Sequence, residues 1–251
     1  MNLLNQDRYQ LIQNIINERN TVTVAELSLE LGLSESTIRR DLTALDKLGK
    51  IRKFFGGATA IKDHGGFHED SFSNREAVMS EEKTSIGRYA ATLINDDDFV
   101  FIDAGTTTSR LIDFISNEKA TYMTNGIAHG RKLIQKGLNA YIIGGKIKPT
   151  TEAIIGSAGN NNLKNFNFTK AFIGANGIDI LTGYTTPDVE EAIIKETAIN
   201  KSYASFVLAD RTKFRRIFPV TFSPLAKCCI ITDSLSDNKF RNETIIKEVN
   251  R

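Results

Sequence analysis

Apolar positions in the first fifty residues recur every three or four places, and three short helices follow from that spacing. Leu11, Ile12, Ile15 and Ile16 share one face of a helix over Arg8–Ile16. Val24, Leu27 and Leu31 form the stripe of a second helix, and Ile38, Leu42, Leu45 and Leu48 that of a third. The polar residues between the stripes set the ends. Thr23 is placed to cap the second helix, and Glu26, three residues on, completes a capping box. Gly32 is a stop, and Ser34 caps the third helix. Two short helices separated by a tight turn containing glycine form the helix-turn-helix pattern. Ile51 to Phe55 then has strand character and Gly56-Gly57 forces a turn, which predicts a hairpin.

The pattern changes further along. Lys62 to Ser80 is polar, carries glycines and has no sustained period, so residues 61–80 read as a linker. From Glu81 onward, strands alternate with helices. "DFVFID", "ATYMT", "AYIIGG", "KAFIGANGID", "SFVLAD" and "KCCIITD" are strand candidates. Glu82–Leu93, the stretch after "AGTTTS" as far as Ile115, the stretch after "NG" to about Lys136, and Pro187–Asn200 are helices. The C-terminal "NETIIKEVN" reads as a last helix. This alternation predicts an α/β fold with a mostly parallel sheet covered on both faces.

The chain has 251 residues, 41% of them hydrophobic, enough for one large domain or two unequal ones. Its net charge of +2 identifies no partner, but the distribution does. Ser34 to Lys62 holds seven Lys or Arg against three acids, a local +4, which leaves the remainder near −2. A basic block on a balanced chain points to a local anionic partner. No apolar run reaches the roughly 18–20 residues that span a bilayer. The first residues lack the basic and apolar regions of a signal peptide, and the only cysteines are Cys228 and Cys229. Side chains of neighbouring strand residues point apart, so the two read as buried thiols in a cytoplasmic protein.

The second helix of such a motif lies in the DNA major groove and meets base edges with its N-terminal residues. Ser36, Thr37, Arg39 and Arg40 occupy its first two turns, while Ile38, Leu42 and Leu45 hold its back. Arginine pairs with guanine through two bonds, and hydroxyls reach bases or phosphates. Arg39 and Arg40 lie about 100° apart, so one can enter the groove while the other meets phosphate. Lys50, Arg52 and Lys53 make the hairpin basic, as in a wing laid along the sugar-phosphate backbone.

In the second domain most strands end in small or polar residues, and ligands of open α/β sheets bind outside those carboxyl ends. "DAGTTTS" is the best local candidate. Gly105 turns backbone N–H groups inward, Thr106, Thr107 and Thr108 add hydroxyls, and a helix N-terminus follows, a combination that suits phosphate. Lys213, beyond another strand end, supplies positive charge to the same crevice. Neither a Walker loop nor a dinucleotide fingerprint is present. His64, His68 and His129 are the only histidines and no cysteine stands near them, so no metal or other cofactor is expected and surface positions are the simpler reading.

"VAELSLELGLSESTIRRDLTALDKLGKIRKFFGGA" resembles the N-terminal domain of the DeoR family of bacterial transcriptional regulators. "DAGTTTSRL", "TNG", "IGG", "GANGID…GYTTPDVEEAIIK" and "LADRTKF" resemble, in order, the effector domain of the same family. The resemblance implies DNA contacts from Ser34, Ser36, Thr37, Arg39 and Arg40 and from a wing that includes Arg52, Lys53, Gly56 and Gly57. It implies an effector domain similar to ribose-phosphate isomerases and glucosamine-phosphate deaminases. Gly105–Thr108 would then hold the phosphate, with Asn125, Asn176, Lys213, Asp103 and Asp210 lining the pocket. The expected organisation is a winged helix-turn-helix over 1–60, a linker over 61–80, and an effector and oligomerisation domain over 81–251. The partners implied are a double-stranded operator, a phosphorylated sugar and further copies of the chain.

The competing reading is a sugar-phosphate isomerase fused to a DNA-binding module. Those isomerases carry Asp-Gly-Ala-Asp-Glu where this chain has Ile173-Gly174-Ala175-Asn176-Gly177. Isomerisation needs a base beside a carbonyl, and both aspartates are gone. Glu191 falls near the position of the isomerases' glutamate, where the simpler reading is a solvent-facing or first-turn carboxylate. Binding without turnover is therefore expected.

Overall fold

The computed structural model describes residues 3–19, 21–60 and 72–249, and the chain divides into two units, Met1–Gly66 and Phe67–Arg251. His64 and His68, and most of the expected linker, lie outside the described residues.

The first unit runs α1 (Leu3–Arg19), β1 (Thr21–Thr23), α2 (Val24–Leu31), α3 (Glu35–Lys47), β2 (Ile51–Phe54) and β3 (Gly57–Ala60). Its caps are those the sequence predicts. Thr23 Oγ1 accepts the Glu26 N–H at 3.2 Å while the Glu26 carboxylate accepts the Thr23 N–H at 2.7 Å. Gly32 ends α2 in the left-handed region, at φ 62°. Ser34 Oγ accepts the Thr37 N–H at 3.3 Å and starts α3. Ile12, Ile16, Leu27, Ile38, Leu42 and Ile51 are fully buried together. Two members of the predicted stripes fall outside this core: Leu11 is about half exposed and Leu48, the C-cap of α3, more so. The hairpin is also a three-stranded sheet, because β1 pairs with β3 in antiparallel fashion. That pairing brings Val22 O so close to Gly57 that a Cβ there would lie 2.4 Å from it.

The second unit begins with α4 (Phe72–Ala77) and α5 (Ser80–Ala91), so part of the expected linker is helical. Then follow β4 (Phe99–Ile102), α6 (Thr106–Asp113), β5 (Thr121–Thr124), α7 (Ile127–Gln135), β6 (Asn139–Ile142), β7 (Lys146–Lys148), β8 (Ala153–Ile155) and α8 (Ser157–Leu163). The chain continues as β9 (Phe168–Gly174), β10 (Gly177–Asp179), β11 (Gly183–Thr186), α9 (Val189–Asn200), β12 (Ser202–Leu208), β13 (Val220–Ser223), β14 (Cys229–Thr232) and β15 (Ile246–Glu248).

Seven strands form one sheet in the order β15-β14-β12-β9-β4-β5-β6, every pair parallel. Its inner strands β4, β5 and β14 are almost wholly buried, as their unbroken apolar runs require, whereas the edge strand β6 is largely exposed. Phe101, Ala171, Ile173, Val207 and Ile230 face one core, with α8 and α9. Val100, Ile102, Phe172, Leu208 and Ile231 face the other, with α5, α6 and α7. From β4 the chain steps outward to β5 and β6, then crosses to β9 on β4's other side. The strand order therefore reverses between β4 and β9, which opens a crevice outside their carboxyl ends.

Two expectations change at the C-terminal end. "NETIIKEVN" holds strand β15, not a helix. Ile245, Ile246 and Val249 fit either period, but the free edge of β14 offers a ladder: β15 pairs with it and the Ile230 N–H donates to Ile245 O at 2.9 Å. Of the two free thiols, Cys228 is buried but Cys229 is only partly so.

Leu42→Ala should cost about 2–5 kcal/mol of stability in urea denaturation, whereas Leu48→Ala should stay within about 0.5 kcal/mol.

Candidate functional site

The first unit presents a polar helix face because its opposite side is clamped. Asp41 is buried, and Arg8 of α1 donates to both of its carboxylate oxygens, at 2.6 and 2.9 Å. The carboxylate in turn raises the Arg8 pKa. This fixes the rotation of α3 and turns Arg39 and Arg40, the two preceding residues, into solvent. Arg39 is held by Glu35 at 2.7 Å, one turn earlier. Ser36 is exposed and Thr37 partly so. The Ser34 hydroxyl lies 2.9 Å from both the Ser36 and the Thr37 hydroxyls, besides capping the helix.

In the wing, Arg52 and Lys53 are exposed. Lys53 is tied back to α3: its N–H donates to Asp46 at 2.9 Å and its ammonium to Thr43 Oγ1 at 2.7 Å. Gly56 takes φ 90° in the turn, and Gly57 is the close approach to β1. Both glycines thus have a backbone reason to be there. Phe55, read in the sequence only as the end of a strand, stands beyond β2 at the wing tip and is fully exposed. The signal was an aromatic pair placed directly before the turn.

In the second unit the β4/β9 crevice gathers Asp103, Gly105–Thr108 and Asn125. Asp103, at the end of β4, is 1% exposed. Its carboxylate accepts the Gly174 N–H at 3.0 Å from β9 and pairs with Lys195 of α9, which also donates to Gly174 O at 3.2 Å. The Ala104 N–H donates to Asn125 Oδ1 at 2.7 Å, and the Gly105 N–H to His129 Nε2 at 3.3 Å. Thr108 Oγ1 donates to Asp103 O at 2.6 Å and lies 3.1 Å from His129 Nε2. The loop is therefore fastened inward by Asn125, His129 and Thr108.

Two expectations are corrected here, and a third is decided between its alternatives. Gly105 has φ −172°, extended backbone open to any residue, and its N–H is taken by His129. A Cβ would instead meet Thr108 Oγ1 at 3.1 Å. His129 is not at the surface. It is buried, with its pKa pushed from 6.5 to about 3, chiefly by burial and further by Lys132 and Lys195, against the Gly105 bond. The neutral ring accepts at Nε2, which places its proton on Nδ1. Of the two places read for Glu191, solvent or the first turn of the helix, it takes the second. It is buried in the first turn of α9, bonded to Thr151 Oγ1 at 2.8 Å and paired with Lys148 at 3.1 Å.

What the loop does not bond is the first turn of α6, whose Thr106, Thr107 and Thr108 are buried. Its N-cap is Gly105, with no side-chain cap, and its first internal bond is Ser109 N–H to Gly105 O at 2.9 Å. The Thr106, Thr107 and Thr108 amides precede that bond, where a helix has no carbonyl of its own to offer. Aligned amides at the positive end of a helix favour an oxyanion.

The remaining candidates sit at the ends of neighbouring strands. Asn176, after β9, accepts the Thr186 hydroxyl at 3.1 Å. Asp210, after β12, is buried and caps a single 3-10 turn, Arg211–Lys213, by accepting the Thr212 N–H at 3.0 Å. Lys213, at the end of that turn, is partly exposed. Sequence reasoning missed His129 and Lys195. Lys195 lay inside "EEAIIK", but on sequence alone it was a lysine in an amphipathic helix.

The residues 8–64 match the model of a DeoR-like helix-turn-helix domain, and residues 78–234 that of a DeoR C terminal sensor domain. The chain is 36% identical over 251 residues to an uncharacterised HTH-type transcriptional regulator, FruR, of Bacillus subtilis, covering 98% of this chain and 99% of that one. It is 33% identical to the HTH-type transcriptional regulator IolR of the same organism, with 93% of each chain covered. It is 30% identical to a lactose phosphotransferase system repressor of Staphylococcus epidermidis, covering 91% of this chain and 92% of that one. Among solved structures, ribose 5-phosphate isomerase A of Methanocaldococcus jannaschii aligns over 54% of each chain at 13% identity and a TM-score of 0.41.

Two outcomes test this geometry. Lys195→Met strands a buried carboxylate and should cost about 3–5 kcal/mol in chemical denaturation, with most of it recovered in the Asp103→Asn/Lys195→Met double variant. Unfolded His129 takes a proton near 6.5 and the folded ring only near 3. The unfolded state therefore binds more protons in that window, and stability should fall as pH drops through it. Thermal melts of His129→Gln should show a flatter acid limb than those of the wild type.

Proposed function

The chain belongs to the DeoR family of transcriptional regulators, and on that premise we propose that it represses sugar-utilisation genes under the control of a phosphorylated sugar. It is a DNA-binding regulator, not an enzyme. This fits the missing aspartates, Ile173 and Asn176, and a Glu191 already engaged by Thr151 and Lys148. No described helix is long and apolar enough to cross a membrane, and the regulator acts in the cytoplasm, where its DNA lies.

The observation that carries the effector reading is the uncapped first turn of α6 at the point where the sheet reverses. A phosphate there accepts from the Thr106–Thr108 amides and from the Thr106 and Thr107 hydroxyls. Lys213 adds charge from the β12 end, while Asn125 and Asn176 border the sugar. Asp103 and Asp210 serve that pocket as supports, through Lys195 and Thr212. Arg39, Arg40, Ser36 and Thr37 meet the operator in the major groove, and Arg52 and Lys53 meet phosphates. Ser34, Gly56 and Gly57 hold helix and wing in shape for that contact. A homo-oligomer, joined through the second unit, gives two recognition helices a spacing of about one DNA turn. Names of relatives support the sugar connection, since one is a lactose phosphotransferase system repressor.

The test is operator binding by the purified chain, using a promoter fragment from its own genomic neighbourhood, with and without a panel of sugar phosphates and their unphosphorylated counterparts. A base-reading arginine changed to alanine, Arg39→Ala or Arg40→Ala, should lose about 1–3 kcal/mol of specific binding. Thr106→Ala and Lys213→Ala should keep operator binding and blunt the response to the sugar phosphate. Full affinity in both arginine variants, or a full response in both pocket variants, refutes the corresponding half.

A further inference from the structure

A metabolite-controlled regulator needs a physical route from its ligand site to the segment that leads toward its DNA-binding unit. Helix α4 is the first described element after β3, and the crevice frame holds both its ends. At the N-terminal end the Phe72 N–H donates to Thr150 O at 3.0 Å, in the turn between β7 and β8. The Phe72 ring stands edge-on to His129, with centroids 6.3 Å apart and planes at 76°. His129 is the residue that accepts the Gly105 N–H and meets Thr108. One imidazole therefore touches the proposed phosphate loop on one side and α4 on the other.

The β7–β8 turn is fixed just as firmly. Thr151 binds Glu191 of α9, and Glu152 O accepts the Ile127 N–H of α7 at 3.0 Å. At the other end of α4, the Lys83 ammonium donates to Arg75 O and, at 2.6 Å, to Val78 O. These carbonyls end a helix that has no further turn to receive them. Lys83 is buried, which pushes its pKa down to about 8, and Asp210 and Lys213 act on its charge from the β12 end. Between the two ends, Glu76 reaches Arg110 of α6 at 3.5 Å.

A helix of six residues does not hold itself together in water. Its conformation is set by these ties, and each leads to an element that borders the crevice. We propose that α4 is the transmission element of this regulator: a sugar phosphate at the first turn of α6 moves His129 and the β12 end, and so changes how α4 is held. Phe72 and His129 are positioning residues in this scheme, acting through the loop rather than on the ligand. The scheme rests on the sugar-phosphate reading above. It requires the ligand to favour one state of α4 over the other, since equal affinity for both shifts nothing.

The test uses the full chain, its own promoter fragment, and ribose 5-phosphate, glucose 6-phosphate, fructose 1-phosphate and inorganic phosphate as probes. The wild type should bind one sugar phosphate and change its operator affinity by about 5- to 150-fold. Wild type that binds none, or binds without a change in operator affinity, removes the functional reading and this scheme with it. Given a responding wild type, Phe72→Ala and Lys83→Met should keep ligand affinity within about threefold, while the operator response shrinks to less than about threefold. A full response in both variants overturns transmission through α4. Lost ligand binding in both also overturns it, because α4 would then build the site. If neither variant folds, amide exchange over Phe72–Ala77 in the wild type decides. A change in protection with the sugar phosphate is expected, and an unchanged rate overturns the scheme.

Discussion

A carboxylate buried at the carboxyl end of a parallel strand must be neutralised, and the neutralisation of Asp103 by Lys195 organises the second unit. Isolated, either charge would be too costly in that interior. Together, and with the Gly174 N–H as a third partner, they bind β4, β9 and α9 at the point where the strand order reverses. Around that knot Asn125 and His129 take the Ala104 and Gly105 amides. The loop is held from within, and the first internal bond of α6 begins only at the Ser109 N–H.

The first unit uses the same device in a smaller setting. Asp41 is buried at 1% exposure and gripped by both arms of Arg8. Two arginines stand immediately before that aspartate, and the clamp decides which way they point. A basic helix face keeps a single direction only when its rotation is fixed. Here the fixing comes from an acidic residue in the middle of the basic run.

Regulation, on this view, is a matter of which groups each ring or ammonium touches. His129 meets the loop and Phe72, while Lys83 meets the end of α4 and feels Asp210 and Lys213. Buried polar groups of this kind have few alternative partners. Moving one partner therefore obliges the others to move.

By itself the sequence determined what depends on neighbours within a turn or two. Thr23 with Glu26, Gly32 and Ser34 set the helix ends, and the apolar runs of β4 and β9 announced a sheet buried on both sides. The motif "DAGTTTS" marked the loop at the end of β4. What spacing could not decide was long-range pairing. Lys195 looked like one lysine in a helix until Asp103, far away in the chain, claimed it, and His129 looked superficial until the Gly105 loop closed over it. "NETIIKEVN" fitted either period and became β15, because β14 had a free edge and an unpaired backbone outweighs local preference. Local propensity is worth tenths of a kcal/mol per residue, whereas a buried charge or an unpaired backbone group costs whole ones, so only the tertiary structure could settle where those groups went.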